Sequence, residues 1–126
     1  MNKRPQKIPA RPEQSEVKRL LHTPDAGTPL GRRDTAILEL LYATGLRVGE
    51  LVTLDLSPID LANMLARVMG KGNKERIGPF GEIAADAIYR YLKDRLVLVR
   101  SGAGTDALFL NARGGRLTAR SIRRLL

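Results

Sequence analysis

The sequence predicts an α+β fold, mostly α-helical with a small antiparallel β-sheet. Several segments place apolar residues at helical spacing, and the longest runs from about Glu82 to Val99. Residues 64–69 instead alternate like a strand, and a glycine-rich turn and a returning strand follow. At 126 residues, of which 43% are hydrophobic, the chain can form one domain or most of one. The low aromatic content, 4%, predicts an aliphatic core.

Residues 1–13 are predicted to form a basic, proline-rich linker or arm, because lysines and arginines alternate with prolines there. Such an arm could follow a phosphate backbone, or it could be a disordered tail. The domain itself is predicted to span residues 14–126. It begins with a short helix at about 14–22, which Ser15 can cap and whose apolar stripe is Val17, Leu20 and Leu21.

A strong helix is predicted from about Arg32 to Ala43. Four residues share its apolar face: Ile37, Leu40, Leu41 and Thr44. Asp34 lies in the predicted first turn, where a negative charge suits the helix dipole. Gly45 ends the helix because glycine tolerates positive φ. A second helix is then predicted from about Arg47 to Leu54.

The remaining elements are a hairpin, a helix, a strand and a final helix. The hairpin spans about 64–80, and a short strand at about 107–110 is predicted to join its sheet. Thr118 is the predicted N-cap of the final helix. The helix between them has one stripe on its core face: Ala84, Ala87, Ile88, Tyr91, Leu92 and Arg95.

The charge of the chain points to a polyanionic partner. Its net charge is +9 and its pI about 10.6. Nucleic acid is the first choice and an anionic membrane surface the second, although no basic helix shows a free bulky apolar face. A basic protein without a specific polyanion is the remaining alternative.

Several classes of site are excluded by composition. The absence of cysteine excludes disulfides, thiolate metal sites and a cysteine nucleophile, and it fits the cytoplasm. His22, the single histidine, cannot form a metal site by itself. No apolar run approaches the length of a membrane span, and the N-terminus lacks the apolar region of a secretory signal.

Arg47 is the first candidate for chemistry on a phosphodiester. Positioned cations favour phosphoryl transfer because charge builds on the non-bridging oxygens, and arginine offers a planar fork to two of them. Arg47 stands at the predicted start of a helix, where free backbone N–H groups favour an anion. Glu50 lies one turn on and can orient the guanidinium. An ordinary buried Arg–Glu pair would have the same spacing, so both interpretations stay open.

Lys71 is the second candidate. It is predicted in the hairpin turn between Gly70 and Gly72, where a lysine can reach a bound backbone and donate a proton to a leaving alkoxide. A solvated turn lysine would show the same pattern. The phosphate-binding pattern G-x-x-x-x-G-K-[ST] is absent, so nucleotide binding is not expected.

Two stretches together resemble a known family: Leu40 to Leu51 (LLYATGLRVGEL) and Gly70 to Arg76 (GKGNKER). Their order and separation resemble the catalytic domain of tyrosine recombinases of the Xer and phage-integrase type, over about residues 8–126. The resemblance implies that Arg47 binds the scissile phosphate, that Glu50 supports the site, and that Lys71 donates a proton to the leaving 5′ oxygen. It further implies breakage and rejoining of DNA through a phosphotyrosyl link, without a metal or nucleotide cofactor.

The family pattern is also incomplete in this sequence. Three positions depart from it without removing a catalytic group: Gly49, Pro58 and Gly78. The family's His-x-x-Arg box and tyrosine nucleophile lie in later helices, and neither is found here. The tyrosines present fall within predicted early helices: Tyr42, Tyr89 and Tyr91. We therefore expect a partial catalytic domain that binds DNA but does not cleave it alone.

The expected partner is double-stranded DNA, and other recombinase subunits are a second candidate; no membrane or nucleotide partner is expected. The alternatives are a non-catalytic DNA-binding module or modulator of full-length recombinases, and a small basic RNA-binding protein, which the few aromatics disfavour. Beyond the catalytic candidates, the candidate DNA contacts are Lys74, Arg76, Arg67, Thr118 and Arg120.

Overall fold

The computed structural model describes residues 17, 20, 21, 23–70, 72, 74–99 and 104–126. These residues form, in order, α1 (Pro29–Thr44), α2 (Val48–Val52), β1 (Ile59–Asp60), β2 (Leu65–Met69), β3 (Glu75–Pro79), α3 (Glu82–Leu98) and α4 (Ala119–Arg123). The predicted α+β class, mostly helical with a small antiparallel sheet, is confirmed. The predicted arm at 1–13 and the Ser15 cap lie outside the described residues.

Helix α1 begins and ends on local signals. Pro29 occupies its first turn, and the Thr28 side chain caps it by accepting a hydrogen bond from the Gly31 N–H at 3.0 Å. Gly45 ends it with φ 70°, as predicted, and its N–H donates to Leu41 O at 2.9 Å. The helix was predicted to start at about Arg32, but it starts at Pro29. Proline favours the first helical position, and the prediction did not take this into account. Asp34 therefore does not lie in the first turn.

Helices α1 and α3 pack against each other and form one side of the core, to which the sheet, α2 and the last segment also contribute. The predicted apolar face of α1 is buried, and on α3 the buried residues are Ala84, Ile88, Tyr91 and Arg95. Val17 is buried in the same core, with Leu20 and Leu21 packed beside it. Aliphatic side chains dominate, as predicted, although Tyr91 and Phe109 stack with ring centroids 5.3 Å apart.

The sheet has three antiparallel strands in the order β1-β2-β3. The hairpin strands pair Leu65 with Pro79 and Met69 with Glu75, close to the predicted bounds. Met64 was predicted to begin β2, but it lies in the preceding turn with φ 54°. The edge strand β1 was not predicted, because two residues are too few to show an alternating pattern.

Residues 107–110 do not join this sheet, contrary to the prediction. They make only isolated bridges, from Ala107 to Asp55 and from Leu110 to Arg116. The Tyr91 hydroxyl donates to Leu108 O at 2.8 Å and accepts from Leu110 N at 2.9 Å. Because a side chain satisfies these backbone groups, the segment is buried without a sheet ladder.

None of the helices in the described ranges combines the length and apolarity needed to cross a membrane.

Candidate phosphate-binding site

Arg47 lies in the turn between α1 and α2. After Gly45 leaves α1, the buried Leu46 anchors the turn, and its N–H donates to the Thr44 hydroxyl at 3.2 Å. Arg47 itself is extended, with φ −75° and ψ 149°, and is the N-cap of α2 rather than its first residue. Its side chain is exposed. The turn therefore presents the guanidinium to solvent from a backbone fixed on both sides.

Glu50 holds the backbone of Arg47, not its guanidinium. Glu50 Oε1 accepts a hydrogen bond from the Arg47 N–H at 2.9 Å. The other carboxylate oxygen, Oε2, forms an ion pair with the guanidinium of Arg76 on β3. The expectation that Glu50 orients the Arg47 guanidinium is therefore wrong, and the N–H of Arg47 itself is occupied. Among the residues that the structure describes, the Arg47 guanidinium has no hydrogen-bond or ion-pair partner.

The hairpin turn brings the second motif toward the same place. The Gly70 N–H donates to Lys74 O at 2.7 Å, and Gly72 adopts φ 75°, which favours glycine. Lys74 is exposed. Lys71, the predicted proton donor, lies outside the described residues, so its role stays a prediction. The Glu50–Arg76 ion pair is the contact that joins the two motifs.

Arg76 and Arg67, both predicted DNA contacts, lie on opposite faces of the sheet. Arg76 pairs with the buried Val68, whereas Arg67 pairs with Ile77. Directly paired residues of antiparallel strands share a face, so Arg76 lies on the core side and Arg67 on the exposed side. The structure therefore does not bring these two arginines onto one surface.

The Arg76 side chain is also mostly buried and paired. Its side chain is 28% exposed, and its Nε is covered and has no acceptor in the described part of the chain. A Cβ placed on Gly70 would meet that Nε at 3.2 Å. Arg76 is thus wedged between the Glu50 carboxylate and the glycine that precedes Lys71.

The predicted contacts in the last helix are exposed. Thr118 caps α4, as predicted: its hydroxyl accepts from Ser121 N at 3.1 Å. Arg120 is exposed on α4, and α4 packs against α2. Arg120 can therefore meet a partner, whereas the Thr118 hydroxyl is exposed but already engaged with Ser121, and nothing in the geometry of either residue selects a phosphate.

Arg116 has a structural role that sequence reasoning missed. Its guanidinium donates to Val52 O at 2.8 Å and to Leu54 O at 3.2 Å, and it forms an ion pair with Asp55. It therefore ties the end of α2 to the segment before α4. Its partners are more than 60 positions away in the chain, so no local pattern could have indicated them.

The tyrosines differ sharply in environment. Burial raises the pKa of Tyr91 to about 12, although the hydrogen bond from Leu110 N lowers it somewhat. Its hydroxyl is fully engaged by the backbone, so Tyr91 is a core residue, as predicted. Tyr42 is 37% exposed and Tyr89 54% exposed, the latter with Lys93 Nζ 4.8 Å from its ring centroid.

The described residues contain no cluster of His, Asp or Glu able to hold a metal ion.

Comparison with known proteins gives concordant matches. The model of the phage integrase family matches residues 11–126. The chain is 45% identical over 126 residues to tyrosine recombinase XerC of Anoxybacillus flavithermus, covering 98% of this chain and 42% of that protein. It is 48% identical over 127 residues to tyrosine recombinase XerC of Myxococcus xanthus, with the same coverage. The chain thus spans less than half the length of these relatives.

Solved structures show the same fold. The crystal structure of XerA recombinase superposes with a TM-score of 0.70 at 31% identity, over 94% of this chain and 41% of that one. XerH recombinase in a pre-cleavage complex with its difH substrate superposes with a TM-score of 0.71 at 20% identity, over 94% and 35% of the two chains. Both comparisons agree with the partial coverage of the sequence relatives.

Proposed function

The chain belongs to the phage integrase family, and on that premise we propose that it is the phosphate-gripping part of a XerC-like tyrosine recombinase. Its substrate is duplex DNA, and Arg47 contacts a phosphate of the strand that the intact recombinase cleaves. Lys71 is the proton donor to the leaving 5′ oxygen. The chain on its own grips DNA without cleaving it.

The observation that carries this proposal is the exposed guanidinium of Arg47, which has no partner among the described residues and stands on a turn held by hydrogen bonds. An arginine with a structural role completes its donors inside the protein, as Arg116 does. Arg47 makes no such contact within the described ranges, while its backbone is fixed by Leu46 and Glu50. A guanidinium that is already positioned, and whose N–H groups are not used inside the protein, suits two non-bridging phosphate oxygens.

Other exposed cations of the chain support a polyanionic substrate. Lys74 in the hairpin, Arg120 on α4 and Arg67 on β2 are all exposed, and the chain carries a net charge of +9. Contacts from such side chains go mainly to phosphate, so they contribute affinity rather than sequence discrimination.

The absence of cleavage by this chain alone is supported by its tyrosines. The Tyr91 hydroxyl is buried and held in two backbone hydrogen bonds, and its pKa is raised to about 12, so it cannot supply a phenolate. Tyr42 and Tyr89 lie within α1 and α3, whereas the resemblance to the family implies that its nucleophile lies in a later helix.

Binding is tested by fluorescence anisotropy with a short labelled duplex and the Arg47→Ala variant. We expect the wild-type affinity to fall steeply between about 50 and 200 mM salt, and Arg47→Ala to weaken it about tenfold with a salt slope smaller by about 0.9. Arg90→Ala is the matched control, because Arg90 lies exposed on α3 and its ion pair is with Asp86 on the same helix. Equal affinities for Arg47→Ala and wild type would refute the phosphate role of Arg47. Preference for RNA of the same length would favour the RNA-binding alternative.

Cleavage is tested with nicked duplex DNA that carries a candidate recombination site. The reaction is separated under denaturing conditions to detect a covalent protein–DNA band. We expect no band from the chain alone, together with a salt-sensitive shift on a native gel. A denaturation-resistant band that Tyr89→Phe or Tyr42→Phe abolishes would contradict the proposal and identify a nucleophile.

A further inference from the structure

We propose that Arg76 is a positioning residue, which fixes the hairpin to the Arg47 turn through Glu50 and neutralises that carboxylate, and which does not itself contact DNA. This inference rests on the proposed function, because it assigns to Arg76 a part in preparing Arg47 for a phosphate. It also differs from the sequence-based prediction, which placed Arg76 among the direct DNA contacts.

The Glu50 carboxylate divides its oxygens between two motifs. Oε1 accepts from the Arg47 N–H at 2.9 Å, and Oε2 pairs with the Arg76 guanidinium. Glu50 and Arg76 have side chains 16% and 28% exposed, so the pair is mostly withdrawn from water. A change at Arg76 therefore reaches the Arg47 backbone through one side chain.

Arg76 also contacts the start of the hairpin turn. A Cβ on Gly70 would meet Arg76 Nε at 3.2 Å and Arg76 Cδ at 3.7 Å, whereas a Cβ on Gly72 would meet nothing within 4 Å. The arginine side chain thus fills the space beside Gly70. This contact places the Arg76 side chain between Glu50 and the start of the hairpin turn, and a larger residue at position 70 would have to displace that side chain by a few tenths of an ångström.

Charge explains why the position needs a cation. The Glu50 carboxylate lies next to the turn that presents Arg47, and an unneutralised carboxylate there would repel a phosphate. Arg76 cancels that charge from the protein side. With its Nε covered and its guanidinium paired, Arg76 has fewer donors to offer a phosphate than the exposed Lys74.

The salt dependence of binding separates positioning from direct contact. Arg76→Met and Lys74→Met each remove one positive charge from the same hairpin. We expect Arg76→Met to weaken duplex binding about five- to tenfold with an unchanged salt slope. Lys74→Met should instead lower the slope by about 0.9, as expected when one phosphate contact is lost.

The dependence on Glu50 is tested by a double-mutant cycle. In a Glu50→Gln background the carboxylate charge is gone, so Arg76→Met should cause no further loss of affinity. A slope that falls for Arg76→Met as it does for Lys74→Met would show direct phosphate contact and overturn the inference. Additive losses in the cycle would also overturn it.

A measurement on the free protein keeps the test valid if affinity is hard to interpret. Amide hydrogen exchange should become at least about threefold faster at Arg47 in Arg76→Met, because its acceptor on Glu50 is no longer held, and stay unchanged at Gly45, which donates within α1. Unchanged exchange at Arg47 would overturn the inference. If Arg76→Met does not fold, Arg76→Lys replaces it. Lysine keeps the positive charge but lacks the planar guanidinium, so amide exchange at Arg47 should become faster while the affinity for duplex DNA falls less than threefold.

The two proposals fail in different ways. Loss of affinity on Arg47→Ala without any effect of Arg76→Met overturns only the positioning role of Arg76. No effect of Arg47→Ala on binding overturns the proposed function, and the role of Arg76 falls with it.

Discussion

The surroundings of α3 and the turn at Arg47 are both rich in arginine, but the two regions use it in opposite ways. On the α1–α3 side, Arg32 makes a bidentate pair with Asp94 at 2.7 and 2.9 Å. Arg95, which is only 6% exposed, donates to Ala107 O and Thr105 O. At the Arg47 turn, by contrast, the described residues leave one guanidinium unpartnered and another with a covered, unpaired Nε.

The difference shows how a structural arginine can be told from a ligand-binding one. A buried guanidinium donor without an acceptor costs about 1–3 kcal/mol, and Arg95 avoids this cost by donating to two backbone carbonyls. An exposed guanidinium can leave its donors to water and later exchange water for a phosphate. The tests that follow should therefore separate stability effects around α3 from binding effects at the turn.

The largest expected effect is on stability, from Arg95→Met. The variant removes the donors to Ala107 O and Thr105 O, which are then left unpaired in the core, so we expect a loss of about 3 kcal/mol in the free energy of unfolding. Urea denaturation measures it. Arg90→Met, at an exposed i,i+4 pair with Asp86, is the control and should change stability by less than about 0.5 kcal/mol. Similar values for both variants would remove the contrast between the regions.

The next effect is that of Tyr91→Phe. The ring still fills its place against Phe109, but Leu108 O and Leu110 N lose their shared partner, which should cost about 1–2 kcal/mol. Thermal and urea unfolding measure the loss, with the exposed Tyr89→Phe as the control. A stability equal to wild type would mean that the segment 107–110 obtains its hydrogen bonds elsewhere.

A smaller effect is expected from pH. Hydrogen bonds from Arg32 lower the pKa of Asp94 below its ordinary value. The pair therefore contributes stability that is fully present above the unfolded pKa, about 3.9, and lost as pH falls through the folded pKa. Asp94→Asn should be less stable than wild type at pH 6, and the two should converge as pH falls toward 2.5. A difference that is constant with pH would exclude the charge of Asp94 as its source.

The smallest stability effect should come from Arg47→Ala. Its guanidinium makes no contact among the described residues, so the free energy of unfolding should change by less than about 0.5 kcal/mol while DNA affinity falls. Urea unfolding of the same preparations used for binding checks this. A loss above about 1 kcal/mol would mean that Arg47, like Arg95, is mainly structural.

Local signals made much of the fold predictable. Gly45 as the end of α1, Thr118 as the cap of α4 and the strand Glu75–Pro79 all follow from residues within a few positions of one another. The predicted start of α1 was less accurate. It was placed at Arg32, whereas the helix begins at Pro29. The prediction that residues 107–110 join the sheet was wrong because their backbone groups bond to the side chains of Tyr91 and Arg95 and to scattered backbone partners, which no strand pattern shows.

The roles of the candidate site residues stay predictions, and the sequence did not predict the contacts that these residues make. Arg47 and Glu50 were identified together, yet the carboxylate binds the Arg47 backbone and pairs with Arg76 instead. Lys74 and Arg120 are exposed, as a DNA contact requires, while Arg67 lies on the other face of the sheet from Arg76.

The sequence by itself determined the helices, the hairpin, the basic charge and the two motifs of the phage integrase family. These depend on periodicity, on caps and turns, and on short runs of residues, all of which are local. Only the tertiary structure decided which arginines are occupied. Arg116 meets Asp55 across 61 positions of the chain, Arg32 meets Asp94 across 62, and Arg47 finds no partner in the part of the chain that the structure describes. A guanidinium finds its acceptor through folding, and neither its own type nor its neighbours in sequence record which acceptor that is.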